Sequence, residues 1–152
     1  MDPLSIGSAV VGIISASIRI GKPLYNLTVG LKDAPKSAVA LQAELNDIRS
    51  ALEQLQTYLV GVEKADMARR ELLTIKNIIA TLTGCVTTYS ELEEIVRKCT
   101  NNKEISGVIK RAKWVLNEEK INMIVGKLQN HKASLTFMLT TLQWWVFIMH
   151  RA

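Results

Sequence analysis

The chain has 152 residues, of which 48% are apolar and 22% charged, with a net charge of +5, three prolines and eight glycines. That balance excludes an intrinsically disordered or fibrous chain and supports one domain with its own core, residues 1–152. No Gly/Ser linker, low-complexity tract or internal repeat divides it, so long uninterrupted elements are expected.

Asp2 and Pro3 open the first element. Asp2 suits a helix cap, and proline at the first helical position loses no hydrogen bond. From Pro3 to Ile18 there is no charge. Leu4, Ile6, Val10, Val11, Ile13, Ile14 and Ile18 fall on more than one face, the pattern of a helix buried in a core or in lipid. Ser8, Gly12 and Ala16 recur every fourth residue and would let another helix approach closely. This segment is therefore the candidate membrane or partner helix, with Leu4, Ile6, Ser8, Val11, Gly12, Ile14, Ala16 and Ile18 as its candidate contacts. Its uncharged run is shorter than the roughly 20 residues that span a bilayer. Asp2 and the lack of a positive start argue against a signal peptide. Gly21 and Pro23 are expected to end or kink the helix, with a second piece from Pro23 to Leu31.

Asp33-Ala34-Pro35 is the next start signal. Leu41, Leu45, Ile48, Leu52, Leu55 and Leu59 then form one seam in steps of four and three, with Glu44, Asp47 and Arg49 outside it. Gly61 is a stop. A third helix is expected from near Asp66, with a seam of Leu72, Ile75, Ile79, Leu82, Val86, Tyr89, Leu92 and Val96. Gly84 and Val86-Thr87-Thr88 weaken its middle, where a bend is expected. Thr100-Asn101-Asn102 is read as a loop. Ile105–Leu116 is read as a short helix with Ile105, Val108, Ile109, Ala112 and Leu116 inward. Asn117 is its junction cap, and Glu118 and Glu119 suit the positive start of a last helix. That helix carries Ile121, Ile124, Leu128, His131, Leu135, Met138, Leu142 and Trp145 in three-four steps. No segment alternates as strands do. The fold class is all-α: an antiparallel bundle of four to six helices.

Chemistry is scarce. Cys85 and Cys99, fourteen residues apart on one helix, would sit about 21 Å apart. They cannot form a disulfide and read as buried free thiols of a reducing, cytoplasmic setting. Two histidines without ligand spacing give no metal set, and no cofactor is expected. There is no Gly-rich phosphate loop, HExxH, nucleophile elbow or CxxC, so the chain is read as a non-enzyme. His131 is read as a hydrogen-bonded seam histidine.

Charge is uneven. From Arg97 to Lys132 there are nine Lys or Arg against three acids. Lys110, Arg111, Lys113, Lys120, Lys127 and Lys132 form the candidate basic patch, suited to an acidic protein or an anionic membrane at the cell interior's periphery. Nucleic acid is not expected as a partner at 5% aromatic content and with no recognisable module. Ala133 to Met149 is again uncharged and closes on Trp144-Trp145-Val146-Phe147-Ile148-Met149. That run is read as the end of the core, with a tail anchor as the alternative.

Met1-Asp2-Pro3-Leu4-Ser5, Gly12-Ile13-Ile14 and Asp33-Ala34-Pro35 resemble the fungal N-terminal domain of STAND (NLR-like) proteins. So do Lys113-Trp114, Lys120-Ile121 and His131-Lys132-Ala133-Ser134-Leu135. The likeness covers residues 1–142 and leaves 143–152 as an atypical tail. It implies a HeLo-like helical signalling domain, linked to incompatibility, immunity or programmed cell death, whose first helix enters membrane. The same family profile takes in proteins of azaphilone pigment gene clusters, which implies an accessory role in secondary metabolism as the alternative. Either way a protein partner or self-association is expected.

Overall fold

A computed structural model describes residues 3–30, 34–62, 69–100 and 107–151. Every one of them is helical except Ala34, Pro35 and Asn117. The five helices are α1 (Pro3–Gly30), α2 (Lys36–Val62), α3 (Arg69–Thr100), α4 (Gly107–Leu116) and α5 (Glu118–Arg151). The all-α reading therefore holds.

Cross-helix pairs fix the topology. Ser37 meets Glu118 and Asp47 meets Lys132, so α2 and α5 run parallel. Ser17 meets Tyr89 and Arg19 meets Glu93, so α1 and α3 also run parallel. Thr88 meets His131 and Glu91 meets Lys127, so α3 and α5 are antiparallel. The four long helices form a ring in the order α1, α2, α5, α3, which places α2 and α3 on a diagonal. The bundle thus mixes parallel and antiparallel neighbours.

The core follows the seams. On α2, Leu41, Leu45, Ile48, Leu52, Leu55 and Leu59 are all buried. On α5, Ile121, Ile124, Leu128, Leu135, Met138 and Leu142 are buried as expected, joined by Leu139. The α2 start is also as read: the Pro35 carbonyl accepts from the amides of Ala38 and Val39. Asp33, Asp66, Asn101, Asn102 and Ile105 lie outside the described residues.

Five expectations need correction. First, α1 does not stop at Gly21 or Pro23. Proline removes one backbone bond, but Ile20, Leu24 and Leu27 on either side of it are buried, and that packing carries the helix through. Second, α1 is not enclosed all round. Its buried line is Ile6, Val10, Ile13, Ser17, Ile20, Leu24 and Leu27, a strict four-three stripe, while Val11 and Ile18 face outward. Third, α3 is one continuous helix whose buried line departs from the seam read. Its buried line passes through Ile78, Leu82, Cys85, Tyr89, Leu92, Val96 and Cys99, so Val86 points out. A helix wedged between two neighbours buries a broader arc than a single seam, which brings Thr88 and Ile95 inside as well. Fourth, Glu44 is not on the open side of α2. It is buried against α5, where Lys132 Nζ lies 2.8 Å from its carboxylate.

The fifth concerns α4. Leu116 is 85% exposed and Ala112 is exposed, while Trp114 is completely buried. The indole closes one end of the bundle, its Nε1 donating to Ser37 Oγ at 2.9 Å. A large ring with one polar edge can fill a bundle end only where that edge finds an acceptor. Asn117 joins α4 to α5 and serves both. Its carbonyl accepts from the Ile121 amide, and its side-chain amide donates to the Lys113 carbonyl at 2.9 Å.

Candidate interaction surfaces

Two polar contacts, one buried and one half-buried, sit side by side on α3 and point to different neighbours. Ser17 Oγ lies 2.9 Å from the Tyr89 hydroxyl and 3.0 Å from the Ile13 carbonyl. A hydroxyl has one proton, so both bonds form when Tyr89 donates to Ser17 and Ser17 donates to Ile13. Burial pushes the Tyr89 phenol upward from its usual range, so it stays protonated.

One residue earlier, Thr88 Oγ1 lies 3.0 Å from His131 Nε2 on α5. The imidazole also lies over Gly84. A methyl group built there would come within 2.8 Å of His131 Cε1. Gly84 is therefore a close-approach glycine, a role hidden in a sequence where it reads only as a helix weakener. Burial, and then the nearby Lys127 charge, hold His131 below its ordinary pKa. The ring is half-buried, hydrogen-bonded and neutral.

The thiols are free and buried. Burial raises Cys85 to about 12 and pushes Cys99 up as well, which suppresses the reactive thiolate. Among the described residues no group of three His, Cys, Asp or Glu is placed to hold a metal ion.

The first-helix residues divide into two sets. Ile6 is part of the core; Ile14 and Ala16 are half-buried; Ser8, Val11, Gly12 and Ile18 face outward. The Leu4 side chain lies outside those described. A Cβ added at Gly12 would meet nothing within 4 Å, so the small-residue series accommodates no close helix inside the bundle. Instead Ala9, Gly12 and Ala16 border an open groove of about 330 Å³ against Val86 and Ser90 of α3. Further along, Tyr25 and Val29 continue the outward line of Val11 and Ile18. Spacings of seven, seven and four put these four on one ridge. Among the described residues no helix is long and apolar enough to cross a membrane.

The basic residues also divide. Lys127 pairs with Glu91 at 3.1 Å, and Lys132 is held between Glu44 and Asp47, which raises its pKa. Arg19 forms a two-point pair with Glu93 at 2.8 and 3.2 Å that lowers the carboxyl pKa. Lys110, Arg111, Lys113 and Lys120 have no carboxylate partner among the described residues. The patch contracts to α4 and the first turn of α5.

The model of the pigment biosynthesis cluster protein PigL N-terminal family matches residues 1–146. The chain belongs to this family. The match confirms the pigment-cluster branch of the resemblance and extends it four residues beyond 142, into the tail read as atypical. No curated protein and no solved structure matches the PigL N-terminal chain.

Proposed function

We propose that this PigL N-terminal domain is a non-catalytic docking module that serves a pigment-biosynthesis cluster by binding another protein along the outer ridge of α1. The observation that carries this reading is the line Val11, Ile18, Tyr25 and Val29. These four are about half to two-thirds exposed on a helix whose opposite face is fully engaged in the core. An amphipathic helix ordinarily turns its second face to water with charge. Here Lys22, four residues after Ile18 and three before Tyr25, is the one charge on that line, and the rest of it favours a partner helix with apolar anchors at the same spacing and an acid opposite the lysine. Within a secondary-metabolite cluster such a module would hold or regulate an enzyme, not replace one.

The test is a pairwise split-reporter screen against every protein encoded beside the gene. One partner is expected to pair with the wild type and to lose pairing with Val11→Asp/Ile18→Asp, whose melting temperature stays unchanged. No pairing with any of them, together with unaltered pigment after gene deletion, would remove the proposal.

A second reading, the HeLo-like one, has α1 leave the bundle and enter membrane. The uncharged run from Pro3 to Ile18, already outward at Val11 and Ile18, favours it. Against it stands the exposure of Ile6, Val10 and Ile13, each stabilised in the core by roughly 1.5–3 kcal/mol. Leakage of anionic vesicles that disappears on deletion of residues 4–18 would support this reading.

A further inference from the structure

α4 turns an apolar arc outward. At about 100° per residue, Ala112, Val115 and Leu116 share the side opposite the buried Trp114. Arg111 borders that arc on one edge and Lys113 on the other. Val115 is 55% and Leu116 85% exposed, the latter at the very end of the helix where the chain turns through Asn117 into α5. Trp114 is anchored to Ser37, so the orientation of this arc is fixed by the bundle.

Among the described residues, the charge around the arc is uncompensated. Lys98, Lys127 and Lys132 on the adjoining helices each hold a carboxylate, whereas Lys110, Arg111, Lys113 and Lys120 hold none among the described residues. Of the acids at the start of α5, Glu118 accepts the Ser37 hydroxyl at 3.3 Å and Glu119 is exposed in the first helical turn. Apolar side chains that protrude between unpaired cations are the signature of a helix lying in a membrane interface.

We propose that the outward face of α4 seats this domain on an anionic lipid surface. Val115 and Leu116 enter the boundary between headgroups and acyl chains. Arg111 and Lys113, backed by Lys110 and Lys120, contact the negative headgroups. A phosphate backbone would use the cations but gives the protruding leucine nothing. A partner helix would need a groove, and this is a projecting corner. The bundle stays closed, so the attachment is independent of both the α1 ridge and the release of α1.

Flotation of the full chain with phosphatidylcholine vesicles, with and without phosphatidylserine, tests the proposal. Binding is expected only to the serine-containing vesicles and to weaken as salt rises. Leu116→Asp and Arg111→Glu/Lys113→Glu should each reduce it by about tenfold or more, with circular dichroism and melting unchanged. Phe137→Asp, at an exposed site on α5, should bind as wild type. Equal binding to neutral vesicles, or retention by Leu116→Asp, would overturn the proposal. So would binding of a short duplex DNA, equally by wild type and Leu116→Asp, at a lower protein concentration than the serine-containing vesicles require, which would assign the cations to nucleic acid.

Discussion

The two seams that α3 makes, with α1 on one side and with α5 on the other, solve the same problem differently. Each embeds a polar group in an apolar stripe. The α1 seam uses Tyr89 and Ser17, both buried and both satisfied by uncharged donors and acceptors. The α5 seam uses Thr88 and a half-buried histidine lying over a glycine. The first pair is permanently neutral. The second contains a group that gains a proton in mild acid, so a fall in pH should act on it first, while the exposed Glu93 of the α1 seam, its pKa lowered by Arg19, keeps its charge until lower pH.

The largest effect should come from Tyr89→Ala, which removes a buried ring and opens the α1 seam. By analogy with other buried aromatic truncations it should cost about 3–5 kcal/mol in a denaturant melt. Thr88→Val, which leaves the neighbouring imidazole partly open to water, should cost far less. Near-equality of the two would erase the distinction drawn between the seams.

Tyr89→Phe keeps the ring and deletes only the donor to Ser17. Ser17 retains the Ile13 carbonyl, so a loss of about 1 kcal/mol is expected. A loss as large as that of Tyr89→Ala would mean the hydroxyl, not the ring, holds the seam.

On the other side, a cycle of Gly84→Ala and His131→Ala should show coupling. Alanine in a helix interior is favoured over glycine by about 1 kcal/mol. That gain should appear in the His131→Ala background and be largely cancelled in the wild type, where the new methyl displaces the imidazole. Equal gains in both backgrounds would deny the close approach.

The smallest effect is the pH dependence. His131 has a folded-state pKa lowered from its ordinary 6.5, so the fold favours the neutral ring. Its contribution is complete above about pH 6.5 and is lost as pH falls below that value. Melting temperature should decline from about pH 7 to pH 5.5 in the wild type and decline less in His131→Gln. Parallel curves would show that other groups set the slope.

Much of this was legible because a helix seam is a local pattern. The spacing from Leu41 to Leu59, and from Ile121 to Leu142, assigns both helices and their buried sides without any knowledge of neighbours. Pro35 and Asn117 mark their starts for local backbone reasons. The sequence also determined that Cys85 and Cys99 could not pair, since one helix holds them a fixed distance apart.

The tertiary structure alone decided which of two apolar sides a helix buries. α1 has hydrophobic residues around much of its circumference, and only its placement between α2 and α3 separates Ile13 from Val11. The same placement converts Pro23 from a stop into an interior residue, and the packing of α5 against α2 and α3 turns Glu44 from a solvent charge into the partner of Lys132. It also gives Gly84 its purpose and leaves Leu116 outside while Trp114 goes in. Periodicity records that a face is apolar; what covers that face is set by residues far away in the chain.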